Sequence, residues 1–439
     1  MPEVRRRLHR RGAVGTGVLS TVFSRPEGEL LCDGVPLERI AAVAGTPAYV
    51  YSARSVREQY ARLAGALAGV PHHVHYSVKA NSSLAILALL RELGAGVDIV
   101  SGGELHRATL AGFGGDDVVF SGVGKTAEEL YAALHAGVRL INVESEGELR
   151  LVSAVAESLG VDAPVALRVN PEVEVDTPHH YTRTGGRGHK FGIPYDEALD
   201  LAREAVALPR VRLAGLDMHV GSQLTRMEPY ERGVSRLLEL LDPVRELAGD
   251  ALRYLDIGGG LAVSYGGEPA ADLDGFAGLA RRAAEESGLE LLVEPGRFLV
   301  AEAGVLLTRV LYRKRSGGKE YVITDAGMTE LMRPSHYQAY HHIEAVEPAT
   351  SRVVVDVVGP VCESGDFLAL DRELEAVEPG ALLAVRTAGA YGYVMASNYN
   401  SRPRPPEVLV DGGRFGVVTA RERYEDLTRH ERVVPDWEE

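Results

Sequence analysis

Apolar runs and helical segments alternate along residues 46 to about 300 of the chain. Residues 46–51 read as a strand, and residues 55–68 have the 3.6-residue period of a helix. Eight further apolar runs rich in β-branched residues predict strands, at 72–78, 96–100, 117–121, 139–144, 164–170, 213–220, 252–257 and 290–294. Segments of helical period lie between them, for example at 128–134, 146–159 and 197–207. This alternation predicts βαβ units and a parallel sheet.

The eight strands predict an α/β fold with a closed (β/α)8 TIM-type barrel, and a doubly wound open sheet is the competing fold. A small, polar or ionisable residue ends each run. These residues are Lys79, Ser101, Ser121, Glu144, Asn170, His219, Gly258 and Glu294. In a barrel, they lie at the carboxyl ends of the strands, where active sites are built.

After residue 301 the pattern changes to short apolar runs separated by turn residues. The runs lie at 304–312, 320–325, 352–358, 381–387 and 407–410. They predict a mostly antiparallel β-barrel or sandwich domain over residues 301–439, following a barrel over residues 53–300. The first 11 residues carry five arginines without a following apolar core. We therefore expect a disordered N-terminal arm over residues 1–28 rather than a secretory signal.

Composition excludes several classes of function. The net charge of −15 argues against a general nucleic-acid binder and against binding to an anionic membrane surface. No apolar run is long enough to cross a bilayer. The two cysteines, Cys32 and Cys362, lie far apart and form neither a disulfide framework nor a zinc motif. We therefore expect a cytoplasmic protein without a bound metal.

Lys79 stands at the end of the first barrel strand, just before a predicted helix over residues 82–94. A lysine in this position lies where an α/β barrel places its chemistry. When it is desolvated, its amine can form a Schiff base with an aldehyde cofactor. A solvated lysine in a turn is the competing interpretation of this stretch.

Three other strand ends carry groups suited to an anionic ligand. In DIGGG at 256–260, Gly258, Gly259 and Gly260 let backbone N–H groups approach a phosphate, although the spacing is not that of a dinucleotide site. In EPGR at 294–297, an acid and an arginine flank a tight turn, which is also typical of an ordinary ion pair. In HVGSQ at 219–223, His219 stands beside Gly221 and Ser222, which suit contact with an anion.

The predicted β domain adds donors and a thiol. Cys362 lies between turn residues and acids at 359–366, so we expect an exposed thiol that stays protonated and suits a proton donor. RPSHY at 333–337 and AYGY at 390–393 supply donors for a carboxylate or phosphate. Each of these signals is weak alone.

Taken together, these residues suit one ligand with an aldehyde, a phosphate and a protonatable ring nitrogen. Pyridoxal 5'-phosphate has all three groups. Lys79 would bind its aldehyde, and Glu294 would stabilise the protonated ring, which then acts as an electron sink. The glycines, Ser222 and Arg297 would hold the phosphate, and His219 could stack on the ring.

The motifs resemble those of the fold-type III pyridoxal-phosphate decarboxylases, and in particular the diaminopimelate decarboxylases. The general resemblance rests on YSVKAN at 76–81, HVGSQ at 219–223, the three glycines and EPGR at 294–297. The closer one rests on TDAGM at 324–328, RP at 333–334, CESGD at 362–366 and YGYVMASNYNSRP at 391–403. The resemblance covers roughly residues 46–412.

The resemblance implies an α/β barrel with a β domain that residues 29–52 join, and a homodimer with shared active sites. It implies that Cys362 and Glu363 act from the partner chain, with Cys362 as the proton donor. It also implies catalytic roles for Lys79 and His219, and cofactor contacts from the three glycines, Ser222, Glu294, Gly296, Arg297 and Tyr391. The implied substrate-binding residues are Arg297, Arg333, Tyr337, Glu363 and Tyr391.

The implied reaction is the decarboxylation of meso-2,6-diaminopimelate to L-lysine and carbon dioxide, the last step of lysine biosynthesis. The alternatives are a decarboxylase of ornithine, arginine or carboxynorspermidine, or a non-catalytic homologue. Arg333 argues against the former, because ornithine lacks a distal carboxylate, and the retained Lys79 and Cys362 argue against the latter. Two departures leave fine specificity open: Thr329 stands where many members have asparagine, and the 176–189 loop is rich in His, Arg and Gly.

Overall fold

The computed structural model describes residues 22–26, 28–173 and 188–437. Most of the predicted N-terminal arm and of the 176–189 loop therefore lies outside the described residues. The chain divides into two compact units. The barrel unit comprises residues 55–264 and 268–301, and the β unit comprises the described residues up to 54, residues 265–267 and residues from 302 onward.

The strands of the described residues are numbered in chain order. They are β1 (Phe23–Ser24), β2 (Leu31–Cys32), β3 (Val35–Pro36), β4 (Ala48–Ser52), β5 (His72–Ser77), β6 (Gly96–Ile99), β7 (Val118–Phe120), β8 (Leu140–Val143), β9 (Ala163–Arg168), β10 (Val211–Asp217), β11 (Tyr254–Asp256), β12 (Glu290–Val293), β13 (Gly304–Ser316), β14 (Lys319–Thr324), β15 (Ile343–Ala345), β16 (Arg352–Val358), β17 (Phe367–Glu375), β18 (Leu382–Val385), β19 (Glu407–Asp411) and β20 (Arg414–Thr419).

The α-helices of the same residues are numbered likewise. They are α1 (Leu37–Ala44), α2 (Ala53–Ala66), α3 (Leu84–Glu92), α4 (Gly102–Leu110), α5 (Ala127–Ala136), α6 (Glu146–Leu159), α7 (Ala198–Ala207), α8 (Glu228–Glu239), α9 (Leu241–Ala248), α10 (Leu273–Ser287), α11 (Arg297–Val300), α12 (Arg333–Tyr337) and α13 (Tyr424–Thr428). None of these helices combines the length and apolar character needed to cross a bilayer.

Strands β5 to β12 form a closed parallel barrel, in which each strand pairs with the next in sequence and β12 pairs with β5. The predicted (β/α)8 barrel is therefore confirmed, and each of its eight strands overlaps a predicted apolar run. Six of the strands contribute to one cluster of buried side chains, formed by Val119, Leu140, Ala166, Ala214, Tyr254 and Leu292. Layers of this kind pack the interior of such a barrel.

Serines between strand and helix begin two of the barrel helices. The Ser101 hydroxyl accepts a hydrogen bond from the Glu104 N–H at the start of α4, and the Ser145 hydroxyl accepts one from the Glu148 N–H at the start of α6. N-caps of this kind satisfy donors that a helix leaves unpaired. Ser101, predicted on the site face, thus serves as a helix cap.

The β unit is built on a nine-stranded sheet that is mostly antiparallel, as predicted. Its central path runs β17-β16-β14-β13-β4-β19-β20, and β18 pairs with β13 and β15. Only two of its strand pairs, β14 with β16 and β4 with β19, are parallel among the described residues. Because β4 pairs with both β13 and β19, residues 48–52 belong to this unit.

Three details differ from the sequence analysis. Residues 22–26, assigned to the arm, pack in the β unit, where Phe23 is buried and Arg25 forms an ion pair with Glu344 at 3.1 Å. Arg333 begins helix α12, an element that the sequence analysis does not predict. Strands β17 and β20 were not predicted, because charged or exposed residues interrupt their apolar pattern.

Candidate active site

Lys79 lies just after β5, in a short 3-10 turn (Val78–Ala80), and its side chain is 38% exposed. Its Nζ donates a hydrogen bond to Oδ2 of Asp98 over 2.6 Å. The Asp98 side chain, on the neighbouring strand β6, is completely buried, and Ser77 Oγ lies 2.8 Å from the same oxygen. A buried carboxylate thus holds the lysine amine at the carboxyl ends of the barrel strands.

Glu294 follows β12 and is buried. Its Oε1 accepts hydrogen bonds from Ser121 Oγ over 3.2 Å and from Asn142 Nδ2 over 3.3 Å. Burial raises the pKa of this carboxyl to about 7, and the charge of Asp98 acts in the same direction, against Lys79. Ser121 and Asn142 therefore orient a carboxyl group whose protonation changes near neutral pH.

Two aspartates extend the acidic cluster around Glu294. Asp217 ends β10 and Asp256 ends β11, and one oxygen from each of the three carboxyls lies within 4.8 Å of the others. Burial raises the pKa of both aspartates well above the usual range, and the charge of Glu294 adds to it. For Asp217 the charge of Arg168 acts in the opposite direction and lowers the pKa, because the Arg168 Nε lies 3.8 Å from Asp217 Oδ2. We expect the cluster to hold at least one proton at neutral pH.

His219 lies after β10, and its Nδ1 accepts a hydrogen bond of 3.4 Å from the Gly259 N–H. Burial lowers the pKa of this imidazole to about 3, and the positive charges of Arg168 and Lys79 contribute. The ring is therefore neutral at physiological pH, as suits a flat group that packs on a ligand.

Close backbone packing requires glycine in the turn at 258–260. A Cβ on Gly259 would lie 2.1 Å from the carbonyl oxygen of Glu294. A Cβ on Gly260 would lie 2.1 Å from the carbonyl oxygen of Gly221, and the φ of Gly260 is +92°. This packing joins three strand ends, and it also leaves the turn without side chains, as a phosphate-binding loop needs.

Arg297, Ser222 and Gly296 lie beside these groups. Arg297 Nη2 donates to Ser222 Oγ over 3.3 Å. A Cβ on Gly296 would lie 3.0 Å from Ser77 Cβ and 3.1 Å from Ala80 Cβ, so the turn after Glu294 packs directly on the segment that carries Lys79. The barrel unit thus brings together Lys79, His219, Ser222, the three glycines, Glu294, Gly296 and Arg297.

The other predicted site residues lie in the β unit. Arg333 and Tyr337 are the first and last residues of α12, and Arg333 is buried. Cys362 is exposed, as predicted, and its Sγ accepts a hydrogen bond of 3.4 Å from Asn400 Nδ2. Its neighbour Glu363 raises the pKa of the Tyr399 hydroxyl by its charge and by a hydrogen bond.

Tyr391, the remaining predicted residue, has a φ of +54°. This left-handed conformation is uncommon for a residue other than glycine. A strained backbone of this kind recurs at sites where a side chain must be aimed.

Five residues of the site face were missed by the sequence analysis: Asp98, Asn142, Arg168, Asp217 and Asp256. All five lie within β6, β8, β9, β10 and β11 rather than after them. The available signal was a polar residue inside a short apolar run. Such a residue must be paired when it is buried.

A model of the pyridoxal binding domain of pyridoxal-dependent decarboxylases matches residues 53–301. The chain belongs to this family. The family resemblance inferred from the motifs is therefore confirmed.

Curated decarboxylases of this family match nearly the whole chain. A diaminopimelate decarboxylase from Pseudomonas fluorescens is 48% identical over 416 residues, which cover 94% of this chain and 99% of that protein. The diaminopimelate decarboxylase from Vibrio cholerae is 44% identical over 412 residues, with coverage of 93% and 98%. The similarity therefore includes the β unit as well as the barrel.

Solved decarboxylase structures give the same result. The Helicobacter pylori diaminopimelate decarboxylase in complex with L-lysine has a TM-score of 0.86 and 39% identity, covering 89% of this chain and 98% of that chain. The diaminopimelate decarboxylase from M. jannaschii has a TM-score of 0.89 and 35% identity, covering 94% and 98%.

The barrel site suits the cofactor of this family. A partly exposed lysine amine, a buried carboxyl, a neutral imidazole and a turn without side chains surround the same strand ends. Asp217 Oδ1 and Asp256 Oδ2 have no hydrogen-bond partner among the described residues. The lysine amine suits the aldehyde of pyridoxal phosphate, the buried carboxyl and the imidazole suit its ring, and the glycine turn suits its phosphate.

Proposed function

We propose that this protein decarboxylates meso-2,6-diaminopimelate to L-lysine and carbon dioxide, with pyridoxal 5'-phosphate as cofactor. The reaction is the last step of lysine biosynthesis. The observation that carries the proposal is the similarity to diaminopimelate decarboxylases over 94% of this chain. The site residues expected for this reaction are present in both units.

Pyridoxal phosphate, when bound, supplies an aldehyde and an electron-withdrawing ring that takes up the electrons released with carbon dioxide. The Lys79 amine would bind its aldehyde, and Asp98, whose Oδ2 lies 2.6 Å from that amine, holds the amine and could take its proton. Glu294, oriented by Ser121 and Asn142, would supply the carboxylate that keeps the ring nitrogen protonated. The neutral imidazole of His219 would supply a flat face for the ring.

The phosphate is held by the barrel residues beside Lys79. The N–H groups of Gly258 and Gly259 donate to Asp256 and His219, so these two glycines would contribute a turn without side chains that a phosphate can approach. Gly260 and Gly296 would offer backbone N–H groups, and Ser222 and Arg297 would offer side-chain donors. The 3.3 Å hydrogen bond between Arg297 and Ser222 supports a shared role for these two residues. The proposal also assigns Tyr391 a role in cofactor binding.

The substrate needs a cation and an anion for the amino-acid head that does not react. A guanidinium matches a carboxylate with two parallel hydrogen bonds, so Arg333 is the proposed partner of the distal carboxylate. Glu363 takes the distal ammonium, and Arg297, Tyr337 and Tyr391 complete the contacts. Cys362 donates the proton that replaces carbon dioxide.

Glu363 and Cys362 act from the partner subunit of a homodimer in this proposal. A two-fold dimer would then contain two equivalent shared sites. The proposed location is the cytoplasm, where the two free thiols, Cys32 and Cys362, would stay reduced.

The test is to measure carbon dioxide released by the purified, cofactor-loaded protein from a panel of amino acids. The panel contains meso-diaminopimelate, lysine, ornithine and arginine at equal concentrations. We expect release from meso-diaminopimelate, with L-lysine formed in equal amount, and little from the others. Faster release from ornithine or arginine would refute the proposed substrate.

A further inference from the structure

The guanidinium of Arg333 is held by two neighbouring rings of the β unit. Its Cζ lies 4.5 Å from the centroid of the Tyr265 ring. Its Nη1 lies 2.8 Å from Nε2 of His341, and both residues are buried. Tyr265 comes from the three-residue stretch 265–267, which lies between barrel elements in sequence but packs with the β unit.

The hydrogen bonds of His341 determine its protonation state. A guanidinium only donates, so Nε2 must accept from Arg333 and carries no proton. Nδ1 lies 2.9 Å from the carbonyl oxygen of Arg386, which only accepts, so Nδ1 must carry the proton. The ring is therefore neutral and present as one tautomer.

The surroundings reinforce this state. Nη1 of Arg372 donates to the backbone carbonyl of His341 over 2.6 Å, so guanidinium groups approach His341 from two sides. The charged groups on the neighbouring elements are Arg333, Arg372, Arg386 and Glu344, with His342 next in sequence. An imidazolium would add a positive charge here and could not accept from Arg333.

Tyr265 holds the His341 ring as well as the guanidinium. The two rings meet edge to face, with centroids 5.2 Å apart and planes at 79°. The aromatic edge and two hydrogen bonds therefore fix the imidazole.

We propose that His341 and Tyr265 are positioning residues that hold Arg333 ready for the distal carboxylate of the substrate. The proposal rests on the proposed function, which gives Arg333 that role. A long arginine side chain loses much conformational freedom when it binds a ligand. Holding it in one pose beforehand removes part of that cost and improves affinity without changing the chemical step.

The test uses two ligands that differ by the carboxylate in question. L-lysine, the product, keeps the distal carboxylate, and cadaverine is the same diamine without it. Inhibition constants of both ligands are measured with meso-diaminopimelate as substrate. Weaker inhibition by lysine alone reports on Arg333, whereas general damage to the site weakens inhibition by both ligands.

His341→Asn and His341→Gln form a matched pair. The shorter amide of asparagine can donate to the Arg386 carbonyl but does not reach Arg333, whereas the oxygen of glutamine can take the place of Nε2. His341→Asn should weaken inhibition by lysine roughly two- to tenfold, the effect of having to order one long side chain on binding, and leave inhibition by cadaverine unchanged. It should raise KM while kcat and cofactor absorbance stay constant, and His341→Gln should recover most of the loss.

A double-mutant cycle tests whether His341 acts through Arg333. In an Arg333→Ala background, His341→Asn should change lysine inhibition no further. An equal further loss there, or equal weakening of lysine and cadaverine, would overturn the proposal. An Arg333→Ala protein with wild-type KM and lysine inhibition would instead refute the substrate role of Arg333 in the proposed function, and this proposal with it.

Tyr265 gives a second test should the histidine variants fold poorly. Tyr265→Phe keeps the ring face beneath the guanidinium, and Tyr265→Leu removes it. Tyr265→Leu should weaken inhibition by lysine but not by cadaverine. Tyr265→Phe should keep inhibition by lysine close to that of the wild type. Equal lysine inhibition in the two variants would refute a positioning role for the ring.

Discussion

Lys79 Nζ lies 2.6 Å from Oδ2 of Asp98, and the two side chains differ sharply in exposure. The lysine is 38% exposed, whereas the aspartate is completely buried on the next strand. A carboxylate without access to solvent needs a paired cation. The same contact leaves the amine close enough to solvent to meet an incoming aldehyde. This geometry supports Lys79 as the attachment point that the proposed function needs.

We predict that the purified protein is yellow and that borohydride bleaches it while fixing the cofactor on Lys79 as a stable secondary amine. Peptide mapping by mass spectrometry locates the modified residue. Lys125 is the internal control, because its ammonium is buried and already bound to Glu148 and to two carbonyl oxygens. A Lys79→Ala protein with wild-type turnover would contradict the assignment.

Glu294→Gln should keep its cofactor but lose roughly 10²-fold or more in kcat, the scale of removing one group that stabilises developing charge. Glutamine keeps the size of the side chain and its contacts with Ser121 and Asn142, so the loss should not come from packing. Absorbance and steady-state rates measure the two effects. Full activity in this variant would show that Glu294 has another role.

The site was predictable where its residues follow the strands. Lys79, His219 and Glu294 all come directly after apolar runs, and the barrel pattern places such positions at one face. Asp98 and Arg168 were missed because they lie inside β6 and β9, where a single sequence does not show which buried charges meet. The pairing of Arg168 with Glu144 at 2.9 Å depends on register between neighbouring strands, which the pattern alone does not specify.

The β unit was harder to predict for a related reason. Arg333 was singled out from its motif, but Tyr265 comes from a distant position in the chain, and His341, eight residues after Arg333, lies outside that motif. Tyr265 reaches the β unit from within the barrel sequence. Only folding brings these three residues together, so their interaction left no local pattern.

His75 should make the protein less stable in acid. It is buried on β5, and its Nδ1 has no hydrogen-bond partner among the described residues. Burial lowers its pKa to about 3, with Arg139 and His73 contributing, whereas an unfolded histidine titrates near its ordinary value of about 6.5. Between these values only the unfolded chain binds the proton. This histidine therefore costs about 1.4 kcal/mol of unfolding free energy for each pH unit of acidification within that window.

His75→Gln removes this titration, so its unfolding free energy should fall less steeply from pH 6.5 towards pH 4 than that of the wild type. Denaturant unfolding at several pH values measures the two slopes. Their difference removes the contributions of groups that both proteins share, such as Glu294, whose raised pKa changes the unfolding free energy with pH in the opposite direction. His106→Gln is the control, because His106 is exposed on α4. Parallel slopes for His75→Gln and the wild type would refute the prediction.

Lys79→Ala and Cys362→Ala should complement each other if the two residues act from different subunits. Each variant alone should be inactive or severely slowed. After dissociation and reassociation of an equal mixture, about a quarter of wild-type activity should return, because half of the dimers are mixed and each contains one intact site. The assay needs labelled subunits to demonstrate exchange. With exchange demonstrated, an inactive mixture would mean that both residues serve one chain's site.

The substrate prediction depends on the charge of Arg333. A desolvated carboxylate needs a cation, and losing a charged hydrogen-bond partner costs about 1.5–3 kcal/mol, or roughly one to two decades in kcat/KM. Arg333→Ala should therefore turn over meso-diaminopimelate with a raised KM, while cofactor absorbance stays normal. Arg313→Ala is a control in the same unit. Arg313 lies on a partly exposed part of β13 and forms ion pairs with Glu320 and Glu378, so its loss should leave KM unchanged. Wild-type kinetics in Arg333→Ala, together with faster turnover of ornithine by the unmodified enzyme, would refute diaminopimelate as the substrate. The barrel fold and the cofactor assignment would not be affected.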